Sequence, residues 1–289
     1  MISGTIFLEK YISFSVIVKK YIKNLFIHFL FWSFFYSFRQ KILKNITIKQ
    51  FYLLFFKGYF HLWYLFSICG FYFITPFLKE ITKNEKFELF LTLNFIFAFL
   101  FPNLITFFKF SSKEYYNTIN KILQNIRLGK YLDDKIFYYM FGFYLNKKNI
   151  RDLLRKIIYI LGFCGIIFTS TLTFYISSLK NIKITFYSAS NINEFFMNIA
   201  IFIFFKYNFN DLKNKKRVKE FIQKLSRLTF GIYLIHPFVI EELYIRFKLN
   251  TLSFDPLYSI PINSLITFLI SLLIVYFLKF LPLINQYIV

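Results

Sequence analysis

"GYFHLWYLFSICGFYFITPFLKE", residues 58–80, sets a histidine and a tryptophan in front of an apolar run that continues to Thr75 and Pro76. An α-helix needs about 20 mostly apolar residues to cross the hydrocarbon core of a bilayer. Comparable runs recur along the whole chain, so the pattern predicts a membrane protein that crosses the bilayer many times. His61 and Trp63 are the unusual part, because the packing of a span does not require that pair at its start.

The amino-acid composition supports the same fold class. Of the 289 residues, 57% are hydrophobic, whereas soluble domains contain about 45–50% apolar residues. One soluble core could not bury this excess, so we expect an all-α bundle of transmembrane helices. We find no internal repeat, Gly/Ser linker or soluble segment, and therefore predict a single membrane domain over residues 1–289.

The net charge of +22 raises the question of nucleic-acid binding. The basic residues lie in short segments between the apolar runs and form no continuous basic face. This distribution is typical of loops at a lipid surface. We therefore expect the lipid bilayer as a partner and no nucleic acid.

The apolar runs predict eight membrane spans. Their approximate bounds are 24–40, 61–79, 87–109, 135–147, 154–177, 189–207, 228–246 and 259–281. The fourth run is short for a crossing and would have to be tilted, re-entrant or extended by its flanks. The longest polar connections are about 110–134 and 208–227, and the second is a basic amphipathic stretch suited to a membrane surface.

The distribution of Lys and Arg predicts the orientation. If all eight spans cross, the side that carries the N-terminal segment and the C-terminus has the larger number of basic residues. The positive-inside rule then places both termini in the cytoplasm. We expect the protein in the plasma (inner) membrane.

The first ten residues, "MISGTIFLEK", are apolar at once but too few to span. They lack the basic region and the small-residue cleavage site of a signal peptide. We interpret them as the tail of a membrane helix whose first half is absent from this sequence.

Four segments carry a resemblance to a known family. "HLWYLFSICGFYFITPFLKE" resembles the HLWFLxxLxGLYLLTPLL segment of the acyltransferase 3 family, and "LTFGIYLIHPFVIEEL", residues 228–243, resembles its SFGIYLIHPLVL segment. Residues 1–38 are similar to the family's FFxxSGYLL stretch followed by its basic KKRxxRIxxPFLFWS run. "YYMFGFYLNKK", residues 138–148, is similar to a GYxLxK segment that lies between them. The resemblance covers essentially the whole chain in the right order.

The resemblance implies a bundle of about ten helices that moves an acyl group from a cytoplasmic thioester to a hydroxyl of a sugar or envelope glycan. The implied co-substrate is acyl-CoA, usually acetyl-CoA, with no bound cofactor. Family members carry an RxxxH motif in their first helix, with the histidine as presumed base. This sequence begins at the second helix, at Ser3 and Gly4, so the resemblance implies that one helix and half of another are missing from it.

The basic run implies the donor site. Lys19 and Lys20 match the family pattern, and Lys23 follows them. Tyr21 and Asn24 stand where arginines are common. Because arginine binds phosphate in a bidentate manner and lysine does not, the resemblance implies a weakened clamp for the phosphates of acyl-CoA.

His61 is the first candidate catalytic residue. A histidine can stay neutral near pH 7 and act as a base toward a hydroxyl proton. Together with the resemblance, its position predicts a polar substrate in a cavity at membrane level, with Trp63 and Tyr64 binding that substrate. The alternative is an interfacial histidine beside an aromatic-belt tryptophan, which needs no function.

His236 is the second candidate catalytic residue, since ionisable side chains inside a span are costly and mark functional sites. The alternative is a structural histidine that binds the carbonyl freed by Pro237, which removes one helix hydrogen bond. Glu242, next to Glu241, is a candidate substrate-binding residue. Its alternative is an early helix end and an ion pair with Arg246, four residues further on.

We expect no metal site, because no cluster of ligand residues or Gly-rich phosphate loop is present. The sequence and the resemblance together predict transfer of an acetyl or similar group from acyl-CoA to an envelope carbohydrate. Two alternatives stay open. One is a transporter of lipid-linked glycans, and the other is a relative of the family that has lost catalysis.

Overall fold

The computed structural model describes residues 1–10, 12–104, 134–179, 191–209 and 215–281. Within these ranges the chain is helical and has no strands. The α-helices are α1 (Ile2–Glu9), α2 (Phe14–Val16), α3 (Lys23–Lys44), α4 (Ile48–Lys57), α5 (Trp63–Lys83), α6 (Phe87–Phe95), α7 (Asp134–Lys147), α8 (Asp152–Leu179), α9 (Ile192–Asn208), α10 (Lys216–Phe247) and α11 (Pro256–Leu278). Short π-helical turns cover Ile17–Ile22 and Ile96–Leu100, and a 3₁₀ turn covers Phe60–Leu62.

The prediction of an all-α membrane bundle is confirmed. Five stretches in the described residues are long and apolar enough to cross a membrane: Ile48–Lys83, Phe87–Leu104, Asp152–Tyr175, Lys216–Phe247 and Pro256–Leu278. The predicted spans 24–40, 135–147 and 189–207 also coincide with helices, namely α3, α7 and α9. The last of these has 17 residues and the middle one has 14, so both are short for a crossing.

Parts of the predictions lie outside the described residues. They are residues 105–109, the connection 110–133, residues 189–190 and residues 210–214. The remainder of the basic amphipathic stretch is not a separate surface segment. Residues 216–227 form the first turns of α10 and continue into the predicted span at 228–246.

The described chain divides into two compact units, Met1–Ser13 with Ile74–Asp211 and Phe14–Phe73 with Leu212–Val289. In the first unit α1 packs against α7 at very short range. A Cβ on Gly4 would lie 1.8 Å from the carbonyl oxygen of Tyr139, and one on Gly142 would lie 2.5 Å from that of Met1. Small residues at these two positions let the backbones meet, as is typical of helix contacts in membranes.

The second unit contains α3, α4, the first half of α5, α10 and α11. Its core is aromatic and aliphatic, with Trp32, Tyr36, Leu62 and Leu234 each at most 2% exposed. Residues later in α3 contact residues later in α10, so the two helices run parallel. All of the histidines and candidate site residues named above lie in this unit.

The chain breaks its helix between α4 and α5. A capping box at Thr47 and Gln50 starts α4, and Gly58 ends it with φ +77°. A Cβ on Gly58 would lie 2.7 Å from Cε2 of Phe29, so glycine is required by both the backbone and the space. Irregular backbone within a membrane bundle is tolerated only where protein or a polar cavity surrounds it, so this break is a candidate position for a site.

Candidate active site

His61 lies in the 3₁₀ turn between α4 and α5 and is only 5% exposed. Its ring packs against those of Tyr36 of α3 and Tyr233 of α10, which bury it. Its Nε2 lies 3.2 Å from the carbonyl oxygen of Leu234 on α10. A carbonyl only accepts, so Nε2 carries the proton. Nδ1 therefore presents its lone pair, and this atom is buried with no partner in the described part of the chain.

The residues around Gly58 explain how His61 reaches α10. The ring of Tyr59 stacks on Tyr36 with centroids 4.4 Å apart. Tyr36 in turn donates its hydroxyl to the Leu234 carbonyl at 2.8 Å. The sharp turn at Gly58 and this stacked pair hold His61 against α10.

His236 lies one residue before Pro237 in the middle of α10. Its Nδ1 is 2.6 Å from the carbonyl oxygen of Tyr233. Proline has no N–H, so this is the carbonyl that would otherwise bond to residue 237 in the helix. The contact of His236 with the carbonyl freed by Pro237, which the sequence analysis gives as one alternative, is present. By the same tautomer argument its Nε2 presents a lone pair.

The two histidine rings lie close together. Their centroids are 5.6 Å apart, and Tyr233 donates its hydroxyl to the carbonyl of His61. Each ring thus directs one nitrogen to a carbonyl of α10. His61 contacts the carbonyl of Leu234, and His236 contacts that of Tyr233. In the neutral form of each ring the other nitrogen carries a lone pair, so the two rings can act as bases side by side.

A cavity of about 350 Å³ lies between α10 and α11. His236 is one of the residues that line it. The others are Ile232, Ile240, Leu243, Leu249, Thr251, Asn263, Ser264, Thr267 and Phe268. The cavity therefore has a mainly apolar side from α10 and a mainly polar side from α11, next to one of the two bases.

An ion network lies one to two helical turns beyond His236. Arg39 of α3 contacts Glu241 through Nη1 and Glu242 through Nη2, the latter at 2.6 Å. Tyr59 donates its hydroxyl to the other oxygen of Glu241, and Arg246 lies 2.7 Å from the second oxygen of Glu242. The predicted Glu242–Arg246 pair is confirmed, but the helix does not end early, since α10 continues to Phe247.

Comparison with known proteins gives one positive finding. The family model of the acyltransferase 3 type, described as an acyltransferase domain, matches residues 1–279. The chain belongs to the acyltransferase 3 family. A search of curated proteins and a search of solved structures find no match.

Membership of the acyltransferase 3 family makes this chain a multi-pass membrane protein with a transferase domain. The two segments that carry the resemblance, at His61 and at His236, meet in the structure. Acyl transfer to a hydroxyl requires a base for the hydroxyl proton, and a histidine is a side chain that can act as one.

The other predicted substrate-binding residues lie less close to the histidine pair. Trp63 is 57% exposed and Tyr64 is 41% exposed, and the ring of Tyr64 lies 5.2 Å from that of Tyr233. Both oxygens of Glu242 are engaged by arginines. None of the three lines the cavity in the described residues, so their role in binding substrate stays a prediction.

The predicted donor-binding lysines are exposed and adjacent to one another. Lys19 and Lys20 lie in the π-helical turn Ile17–Ile22, and Lys23 begins α3. Such turns interrupt a helix and are frequent at functional sites. Their contact with a donor also stays a prediction.

Arg39 is the residue that the sequence analysis missed. It lies at the end of the predicted span 24–40, where an arginine with no nearby acid requires a partner from another helix. The Glu241–Glu242 pair also lies within a predicted span and likewise requires a partner of opposite charge. Reading the two together would have predicted their contact.

Proposed function

We propose that this protein transfers an acetyl or similar acyl group from acyl-CoA to a hydroxyl of an envelope carbohydrate. Family membership supports acyl transfer in general, and the histidine pair carries the proposal. His61 and His236 each hold an N–H on a carbonyl of α10 and present the other nitrogen as a base. A transporter or a scaffold needs no such pair of oriented bases.

The proposed reaction uses one of these nitrogens as general base. The base takes the proton of the acceptor hydroxyl while the oxygen attacks the thioester carbonyl, forming a C–O bond. The tetrahedral intermediate then breaks its C–S bond, and the resulting imidazolium returns the proton to the departing coenzyme A sulfur. The overall reaction converts a thioester and a hydroxyl into an ester and a thiol.

The distance between the basic run and the histidines supports acyl-CoA as the donor. Lys23 and Tyr36 are separated by about 20 Å along α3 at 1.5 Å per residue, and the ring of Tyr36 lies 5.1 Å from that of His61. Coenzyme A separates its phosphates from its sulfur by the long pantetheine arm. A donor whose phosphates bind Lys19, Lys20 and Lys23 can therefore extend its thioester to the histidine pair.

The test is coenzyme A release by protein in lipid nanodiscs supplied with acetyl-CoA and a mixture of envelope glycans. General base catalysis contributes about 10²–10⁴-fold, so we expect His61→Ala and His236→Ala each to lower the rate by about 100-fold. A loss below about threefold in both variants would contradict the proposal.

His28 provides the matched control. It is as buried as His61, and its Nδ1 also lies near a carbonyl, that of Asn24, at 2.6 Å. It lies about 12 Å along α3 from Tyr36, away from the pair. We expect His28→Ala to retain the wild-type rate. A glycan transporter or a non-catalytic relative would release no coenzyme A in any variant.

A further inference from the structure

Glu241 and Glu242 are adjacent carboxylates of α10 with different partners. Both bind Arg39 of α3, and both side chains are 26% exposed. The second oxygen of Glu242 contacts Arg246, so this carboxylate binds two arginines. The second oxygen of Glu241 instead accepts the hydroxyl of Tyr59. The two carboxylates thus share one cation, and within the described part of the chain Glu241 alone binds the segment between α4 and α5.

Tyr59 connects that carboxylate to the candidate base. It immediately precedes the 3₁₀ turn Phe60–Leu62, and its carbonyl accepts the N–H of Leu62 at 2.9 Å. Its ring is parallel to that of Tyr36, with an interplanar angle of 3°. Both tyrosine rings are nearly perpendicular to the ring of His61, at 77° for Tyr59 and 80° for Tyr36. The stacked tyrosines therefore contact the imidazole together.

Tyr36 and His61 bind the same carbonyl. Tyr36 donates its hydroxyl to the carbonyl oxygen of Leu234 at 2.8 Å, and Nε2 of His61 lies 3.2 Å from that oxygen. A carbonyl oxygen has two lone pairs and can accept both donors. The imidazole keeps its contact only while it does not turn over, because a flipped ring directs a carbon at the carbonyl in place of Nε2. The two tyrosine rings oppose that flip.

We infer that Glu241 is a positioning residue for His61 and acts through Tyr59. Its carboxylate holds the Tyr59 hydroxyl by a charge-assisted hydrogen bond, which is about twice as strong as one between neutral groups. The bound hydroxyl fixes the stack on Tyr36, and the stack fixes the imidazole. This inference rests on the proposed acyl transfer for the use of His61 as a base. The orientation of the ring does not depend on that reaction.

A purely structural role of Glu241 makes a different prediction. Glu241 and Glu242 share Arg39 and are equally exposed, so the loss of either weakens the contact between α3 and α10. Only the loss of Glu241 releases Tyr59. An effect on the ring of His61 that follows Glu241 and not Glu242 therefore separates positioning from packing.

The test is the ¹⁵N NMR spectrum of the histidine rings in the full chain, labelled with ring-¹⁵N histidine and held in lipid nanodiscs. The chain has three histidines, so replacing each with glutamine assigns its pair of nitrogen signals. At mildly alkaline pH imidazole is neutral, and its protonated nitrogen resonates far from the one with a lone pair. We expect the wild-type ring of His61 to show one signal of each kind, as the single Nε2–H tautomer.

Tyr59→Phe removes the hydroxyl and keeps the stacked ring. We expect both nitrogen signals of His61 to move toward their mean, because the loosened ring samples both tautomers. Glu241→Ala should produce the same change and the double variant no further one, since both substitutions break a single contact. Glu242→Ala is the matched control and should leave the signals of His61 in place.

Turnover gives a second readout of the same contact. In the coenzyme A release assay, Tyr59→Phe should lower the turnover number by about tenfold, as expected when a reacting group is held loosely. The Michaelis constant for acetyl-CoA should stay unchanged. Tyr139→Phe is the control, because Tyr139 is also buried and its hydroxyl lies 2.8 Å from that of Thr75 in the first unit. It should change neither the turnover number nor the signals of His61.

Two results would overturn the inference: unchanged His61 signals in either Tyr59→Phe or Glu241→Ala, or equal changes after Glu241→Ala and Glu242→Ala. The spectrum requires no turnover, so its outcome is independent of the proposed reaction. Altered signals in a protein that releases no coenzyme A in any variant would support positioning by Glu241 and contradict the acyl transfer.

Discussion

At the residue scale, the decisive feature is that Pro237 leaves a carbonyl for His236 to cap. Without the proline, the N–H of residue 237 would bond to the carbonyl of Tyr233, which now lies 2.6 Å from Nδ1 of His236. The tautomer of His236 therefore depends on its neighbour. The carbonyl of Leu234, one residue further along α10, lies 3.2 Å from Nε2 of His61, so adjacent carbonyls of one helix turn orient both histidines.

We expect Pro237→Ala to keep the fold but lower the turnover number. The new N–H competes with His236 for the Tyr233 carbonyl, and the imidazole loses the contact that fixes its orientation. Coenzyme A release should fall by about tenfold or more, in line with the contribution of a positioned base. The Michaelis constant for acetyl-CoA should stay unchanged, because the donor lysines are remote.

Pro261→Ala is the control for this prediction. Pro261 also lies inside a helix of the same unit, α11, and no histidine caps the carbonyl that it frees, that of Leu257. Its replacement should leave the turnover number unchanged. If both variants lose activity equally, proline removal acts through the bundle as a whole and the capping argument is wrong.

At the element scale, the break between α4 and α5 places His61 inside the bundle. Gly58 has φ +77°, and a Cβ there would lie 2.7 Å from the Phe29 ring. We expect Gly58→Ala to lower the free energy of unfolding by about 1–3 kcal/mol, since both the backbone and the packing become strained. Coenzyme A release should fall as well, because the turn that carries His61 must shift.

Gly70 makes a matched control on α5. A Cβ at Gly70 meets nothing within 4 Å, so Gly70→Ala should stabilise the helix by up to about 1 kcal/mol. Unfolding in increasing dodecyl sulfate measures both variants. Equal effects of the same sign at the two glycines would contradict the assigned roles.

The elements also show which features could be predicted from the sequence. Apolar runs predict α5, α8, α10 and α11 because a long apolar segment favours a helix that can cross a bilayer. The break at Gly58 could not be predicted in the same way. By length and hydropathy Ile48–Lys83 is one apolar stretch, and the break within it depends on one glycine and on the stacking of Tyr59 on Tyr36 of α3.

At the scale of the whole molecule, contacts between distant parts of the chain assemble the site. Arg39 and Glu241 are separated by 202 residues in sequence, and so no local pattern pairs them. Hydropathy could predict His61 and His236 as candidates but not their 5.6 Å separation. The resemblance supplied the two segments, and only the packing of α3, α5 and α10 shows that they converge.

Arg39 tests this long-range assembly. Its side chain is 10% exposed and those of Glu241 and Glu242 are 26% exposed, so removing the cation leaves two adjacent carboxylates largely out of water. We expect Arg39→Gln to lower the free energy of unfolding by about 3 kcal/mol. Adding Glu241→Gln should restore part of that loss, because it removes one of the two like charges.

The exposed pair Lys83–Glu80 provides the comparison. Its side chains are 58% and 72% exposed, and exposed pairs contribute little because water and salt screen them. Lys83→Gln should leave the unfolding midpoint in dodecyl sulfate unchanged. If Arg39→Gln behaves like Lys83→Gln, or if the added Glu241→Gln destabilises further, the network does not hold α3 against α10. The convergence of the two histidine segments would then depend on the apolar core alone.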